Sequence, residues 1–244
     1  MTPSTRRFAG IDALRGFAIV QMILFHFTYN LNQFGWVEVA VNRDQPFAVW
    51  RVAIVSQFLL LVGVSQMLRS QLNPAQGAFW RRWAQVAVAA AVVTFGSWLV
   101  FGERMILFGI LHFIAVALLL AQPLLRLGLW NLPLGGLALS FGLRFEDPRF
   151  DAWPANLLGF ATELPSTEDY VPIFPWIGVV LLGLGLGALW RGRGFAIAAP
   201  LAALDAAAPR FLTLLGTWPL TVYLAHEPVL VGAIWTFGKL TGHG

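Results

Sequence analysis

No cysteine occurs among the 244 residues, so disulfides, thiolate metal sites and a cysteine nucleophile are all excluded, and the redox compartment goes unmarked. Charge is scarce as well. Only 11% of residues are Asp, Glu, Lys or Arg, against 58% hydrophobic, a balance outside that of ordinary soluble domains. Low-complexity tracts and internal repeats are missing too, which weighs against the inverted-repeat plan of many transporters. A net charge of +4 would suggest a nucleic-acid partner in a soluble protein. Here the arginines sit at the ends of apolar runs and mark one side of a bilayer instead, so no nucleic acid is expected.

What is present is a series of long apolar stretches, at roughly 11–31, 47–68, 83–101, 105–127, 129–145, 173–190 and 211–237. Each approaches the length that crosses about 30 Å of hydrocarbon as a helix. The expected fold class is therefore all-α: a polytopic membrane helix bundle of about seven transmembrane helices, in a single domain over 1–244. The fifth stretch is interrupted by Asn131, Pro133, Gly135 and Gly136. Residues 195–208 are apolar but short, contain Pro200 and Asp205, and read as an interfacial or re-entrant piece. Arg6 and Arg7 precede an apolar run of about twenty residues without a small-residue cleavage site, so this segment is expected to stay attached as an anchor.

If the helices alternate, Arg6, Arg7, Arg69, Arg81, Arg82, Arg126, Arg191, Arg193 and Arg210 share one face, which the positive-inside tendency makes cytoplasmic. Glu38, Asp44, Glu103 and the acids of 146–172 share the other. This gives a plasma (inner) membrane protein with its N-terminus inside and its C-terminus outside. The 146–172 segment, rich in proline and acid, is the long extracytoplasmic loop; loops of that length often act as lids or binding segments.

Intramembrane ionisable residues are costly and therefore functional candidates. The first span, RFAGIDALRGFAIVQMILFHFTYN, carries three of them. Asp12 and Arg15 are three apart and form a plausible ion pair on one helix face. His26 follows Arg15 by eleven residues, close to three turns, so it projects from nearly the same side about 16 Å further along. Met22, Tyr29 and Asn30 fall on that side as well. His112 in the fourth span and His226 in the seventh lie at a comparable depth, where the three imidazoles can converge. Glu227 follows His226, Tyr223 precedes it by three, and Pro219 and Pro228 flank the pair; such prolines free backbone carbonyls that need partners in protein or a wet cavity. An acid near a histidine can fix its tautomer or raise its basicity. Neighbours in sequence do not face each other on a helix, so Glu227 is expected to serve His26 or His112 rather than His226. The glycines of PWIGVVLLGLGLG and of LVGVS read as close-packing positions. Arg51, Trp50, Arg81, Arg82 and Trp83 read as interfacial anchors.

The segments IDALRGFAIVQMILFHF, FLLLVGVS, ILFGILHFIA, PWIGVVLLGLGLG and LTVYLAHEP together resemble the bacterial relatives of heparan-α-glucosaminide N-acetyltransferase, and the likeness spans nearly the whole chain. The opening segment also resembles the wider transmembrane acyltransferase superfamily, in which an arginine is followed eleven residues later by a histidine, as Arg15 and His26 are. The eukaryotic enzyme is longer, with more helices and a large luminal domain that has no counterpart here. The resemblance implies an acyltransferase that moves acetyl from cytosolic acetyl-CoA to an extracytoplasmic acceptor, an amino sugar or glycan. His26 is then the expected base or transient acetyl carrier, assisted by His226, Glu227 and His112. Arg15, held by Asp12, would attract the CoA phosphates, and Tyr29, Asn30 and Tyr223 would contact the acceptor. No metal is expected on this reading. The same buried groups would also suit a proton-coupled transporter, a haem protein with two axial histidines, or a non-enzymatic assembly partner.

Overall fold

The computed structural model describes residues 8–39, 45–72, 76–192 and 207–242. Arg6, Arg7, Asp44, Arg193 and the 195–206 part of the short apolar piece lie outside them. Among the described residues every regular element is helical: α1 Ala9–Gln33, α2 Gln45–Leu72, α3 Gln76–Phe101, α4 Ile110–Leu124, α5 Asn131–Gly142, α6 Ile173–Gly192, α7 Arg210–Thr217 and α8 Pro219–Thr241. Among the described residues, six helical stretches are long and apolar enough to cross a bilayer, with 110–142 taken as one. The chain is a multi-pass membrane protein.

The chain divides into two compact units. One, here the terminal unit, joins α1 and the first part of α2 to α7 and α8. The other, the central unit, holds the rest of α2 and everything from α3 to α6.

In the central unit, 110–142 doubles back on itself. Gly128 adopts a positive φ of 53° between α4 and α5, a conformation that costs glycine little. The Ile110 amide at the start of α4 reaches Asp169, just ahead of α6, while Gly142 at the end of α5 packs on Pro175 at the start of α6. Both arms thus begin or end beside the same end of α6. Small residues make the contact with α6 close: a Cβ on Gly135 would meet the Gly178 carbonyl, and one on Gly183 would collide with the Leu60 carbonyl of α2. The expectation that the helix-six and LVGVS glycines are packing positions is met. Several sequence boundaries move, α3 starting at Gln76 instead of 83 among them. Residues 105–109 precede α4 instead of belonging to it, and α5 ends at Gly142, three residues before the expected limit.

The 146–172 loop packs through Phe150 and Phe160 onto aromatics at the ends of α5 and α6. Phe141, Phe145, Phe150, Phe160 and Phe174 form a mutually edge-on and stacked group. Four of the loop's acids have partners, two within the loop and two at or just ahead of the start of α4. Asp147 pairs with Arg149 at 2.6 Å and Asp151 accepts from Thr162. Glu168 pairs with Arg104 at 3.0 Å, and Asp169 caps α4 through the Ile110 amide at 2.9 Å.

In the terminal unit, α7 and α8 replace the continuous seventh span expected over 211–237. The helix breaks at Trp218, whose φ of −119° and ψ of 45° leave the helical region, and α8 restarts with Pro219 in its first turn. Proline at that position is preorganised for a helix start and gives up an amide that would be unpaired anyway. The short α7 lies tightly along α1: a Cβ on Gly16 would strike the Leu212 carbonyl, and one on Gly216 the Asp12 carbonyl.

Candidate active site

Asp12 and Arg15, spaced to share a helix face, do pair: Arg15 Nη1 donates to Asp12 Oδ1 at 2.7 Å and to the Gly216 carbonyl at 3.0 Å. Asp12 is 5% exposed. The guanidinium therefore ties α7 to α1, a contact that exists only because glycine at 16 and 216 lets the two backbones approach. Gly216 was not singled out by its sequence; its signal lay in the Gly-Thr-Trp-Pro run that ends one helix and starts another.

Further along α1, His26 meets His226 of α8 edge to face, with ring centroids 4.8 Å apart. Each imidazole is oriented by its own helix. His26 Nδ1 lies 2.9 Å from the Met22 carbonyl and His226 Nδ1 lies 2.5 Å from the Tyr223 carbonyl. A carbonyl oxygen can only accept, so both Nδ1 atoms carry the proton, and in the neutral rings both Nε2 atoms present a lone pair. His226 Nε2 is buried and has no hydrogen-bond partner.

Glu227 joins them. Its Oε1 accepts from Asn30 Nδ2 at 3.0 Å, and its Oε2, buried and without a hydrogen-bond partner, stands 3.7 Å from His226 Nε2. Glu227 was expected to serve His26 or His112 rather than His226; its carboxylate bonds Asn30 and stands near His226 without a hydrogen bond to it. Asn30, expected at the acceptor, is 4% exposed and spends its amide on the carboxylate. Tyr223 and Tyr29 pack against the apolar cluster of Met22, Phe25 and Ile54, beside Trp50. Tyr29 also accepts a hydrogen bond from Gln33 at 2.7 Å.

His112 belongs to the central unit and has a different environment. Thr94 Oγ1 donates to the Ile106 carbonyl at 2.8 Å, which uses its one proton, so the 2.8 Å contact with His112 Nε2 has the ring donating. Nδ1 then accepts from the Gly109 amide at 3.3 Å and closes a cap on α4. This is the opposite tautomer, with both ring nitrogens engaged. A cavity of about 710 Å³ opens alongside, lined by Thr94, Phe95, Trp98, Phe108 and His112 among others.

A family model described as heparan-alpha-glucosaminide N-acetyltransferase, catalytic, matches residues 7–228. No curated protein and no solved structure matches the chain.

Proposed function

From the premise that this chain belongs to the heparan-α-glucosaminide N-acetyltransferase catalytic family, we propose that it transfers acetyl from cytosolic acetyl-CoA to an extracytoplasmic amino sugar or glycan, with His26 as general base. Membership makes it a membrane acetyltransferase; donor, acceptor, sidedness and residue roles are the proposal. The observation that carries it is the pair of imidazoles at 4.8 Å, each with its Nδ1 proton given to a carbonyl of its own helix. That arrangement keeps a lone pair on His26 Nε2, where a base needs it.

In the proposed reaction the acceptor nitrogen or oxygen attacks the thioester carbonyl carbon while His26 Nε2 takes its proton. The C–S bond then breaks, and the CoA thiolate leaves with the proton returned by the imidazolium. Glu227, steadied by Asn30, balances the charge that develops on the histidine pair, an electrostatic role that gains strength where water is excluded. Arg15 stands about 16 Å back along the helix, a separation suited to a pantetheine arm whose phosphates rest near the guanidinium and whose thioester reaches His26. Asp12 and the Gly216 carbonyl fix that guanidinium in place. Tyr29 and Tyr223 are proposed to contact the acceptor. His112, with both nitrogens bonded, is proposed as a positioning residue for α4 and not as an acid or base.

The test is transfer of labelled acetyl from acetyl-CoA to glucosamine in proteoliposomes. Wild-type protein is expected to turn over, and His26→Ala to lose about 10²–10⁴-fold, the usual contribution of a positioned base. Turnover that survives His26→Ala removes the base from the mechanism. Exchange of label between acetyl-CoA and CoA without acceptor, lost in His26→Ala, would make His26 a covalent acetyl carrier instead.

A further inference from the structure

The groups around His26 have a second chemical property that proton transfer does not use. One ring nitrogen of His26, one of His226 and a Glu227 carboxylate oxygen lie within 4.8 Å of one another, and with both Nδ1 atoms given to carbonyls the nitrogens left to bind are the Nε2 atoms. Two of these atoms, His226 Nε2 and Glu227 Oε2, are buried with no hydrogen-bond partner, and the His226 side chain is only 5% exposed. Buried polar atoms left unpaired cost free energy, and such orphans call for an explanation by an ion, a water or a function.

From these atoms we infer a binding site for a divalent first-row transition ion, of which Zn²⁺ is the type, held by His26 Nε2, His226 Nε2 and Glu227 Oε2. Two imidazoles and one carboxylate favour zinc, copper, nickel or cobalt over magnesium or calcium, which prefer oxygen alone. The supporting groups are those a metal site requires. A ligating histidine donates its other ring N–H to a carbonyl or carboxylate, which fixes tautomer and orientation; His26 donates to Met22 and His226 to Tyr223. A ligating carboxylate is itself hydrogen-bonded, and Asn30 supplies that bond to Glu227.

The dimensions agree as well. Donor atoms at about 2.0–2.2 Å from a tetrahedral ion sit about 3.3–3.6 Å from each other, and His226 Nε2 and Glu227 Oε2 are already 3.7 Å apart. Closing a 4.8 Å spread to that value needs about 1.2–1.5 Å of side-chain adjustment. The binding claim stands apart from the proposed function; one consequence rests on it. An ion on His26 Nε2 occupies the lone pair that would accept the acceptor's proton, so the metal-bound protein is inactive in acetyl transfer.

The full chain, purified in detergent without a polyhistidine tag, is titrated with Co²⁺ and followed by its visible ligand-field bands, then displaced with Zn²⁺. One Co²⁺ per chain is expected, with bands indicating imidazole ligation. His226→Ala and Glu227→Gln are each expected to weaken binding at least about tenfold, and Asn30→Ala by a factor of about ten to a hundred, while His112→Ala leaves it unchanged. Helical circular dichroism identifies any variant that fails to fold; Glu227→Gln, nearly isosteric, keeps the comparison usable in that event. Absence of stoichiometric Co²⁺ binding overturns the inference, as does binding that persists undiminished in a folded His26→Ala/His226→Ala protein. In the activity arm, Zn²⁺ is expected to stop acetyl transfer reversibly, with a chelator restoring it. A chain that binds Co²⁺ but transfers no acetyl when metal-free would refute the proposed function and leave the metal site standing.

Discussion

Asn30 donates to Glu227 from a buried position, so removing its amide should disturb the carboxylate and not the grip on acceptor. Asn30→Ala is expected to lower kcat about tenfold, in line with the loss of a supporting hydrogen bond, with KM for the acceptor nearly constant. Steady-state kinetics decide: a raised KM at constant kcat would return Asn30 to the acceptor. A second residue-scale prediction concerns the 146–172 loop, where the side-chain and backbone hydrogen bonds from Arg149 pull the Asp147 carboxyl down to about 2. A depressed carboxylate contributes stability that is present above its unfolded value of about 3.9 and is lost as pH falls through the folded one. Carbon NMR of Asp147 is expected to show a midpoint near 2, and Arg149→Ala to return it toward the ordinary value. Much at this scale was legible: the spacing of Asp12, Arg15 and His26 along one helix predicts their shared stripe because helical period alone sets it. The partner of Asn30 was not, because a contact between residues 197 apart depends on how helices dock.

Among the elements, the junction of α1 with α7 rests on two glycines that admit backbone against backbone. Gly216→Ala puts a methyl into the Asp12 carbonyl, and Gly16→Ala one into that of Leu212. Neither obstacle is a flexible side chain, so each change is expected to destabilise by at least about 1–3 kcal/mol, the usual cost of overpacking. Transfer activity should fall with stability, because the Arg15 bond to Gly216 stretches. Thermal unfolding in detergent checks this, with Gly96→Ala, whose Cβ meets nothing within 4 Å, as the neutral control. Element existence was readable because long apolar runs leave a buried backbone little choice but a helix. The break at Trp218 was harder to place: Pro219 marks a helix start and a flank of a continuous span equally well, and only the α7 packing decides between them. Residues 105–109 are as apolar as a helix needs, yet their backbone groups are taken elsewhere: Thr167 donates to the Met105 carbonyl and Val171 to that of Phe108, while Ile106 bonds Thr94 and Ser97 of α3.

At the scale of the whole molecule, the lack of native cysteine makes orientation directly testable. On the proposed topology, Glu163→Cys in the outer loop is expected to react with an impermeant maleimide in intact cells, and Gly192→Cys at the end of α6 only after permeabilisation. The reverse pattern would invert the assignment and place acetyl-CoA on the wrong side of His26. Division into two units was not visible in the sequence, since hydropathy reports which segments are buried in lipid and not which helices choose each other. That division also bears on biogenesis. His26 and His226 stand 200 positions apart, and the terminal unit needs helices from both stretches. At about 5–20 residues per second, a ribosome emits the second histidine roughly 10–40 s after the first. Throughout that delay Arg15 is without its Gly216 carbonyl and Glu227 does not yet exist. On the proposed mechanism, a nascent chain halted anywhere before α7 is expected to be inert toward thioesters, with competence arriving only once the closing helices are made.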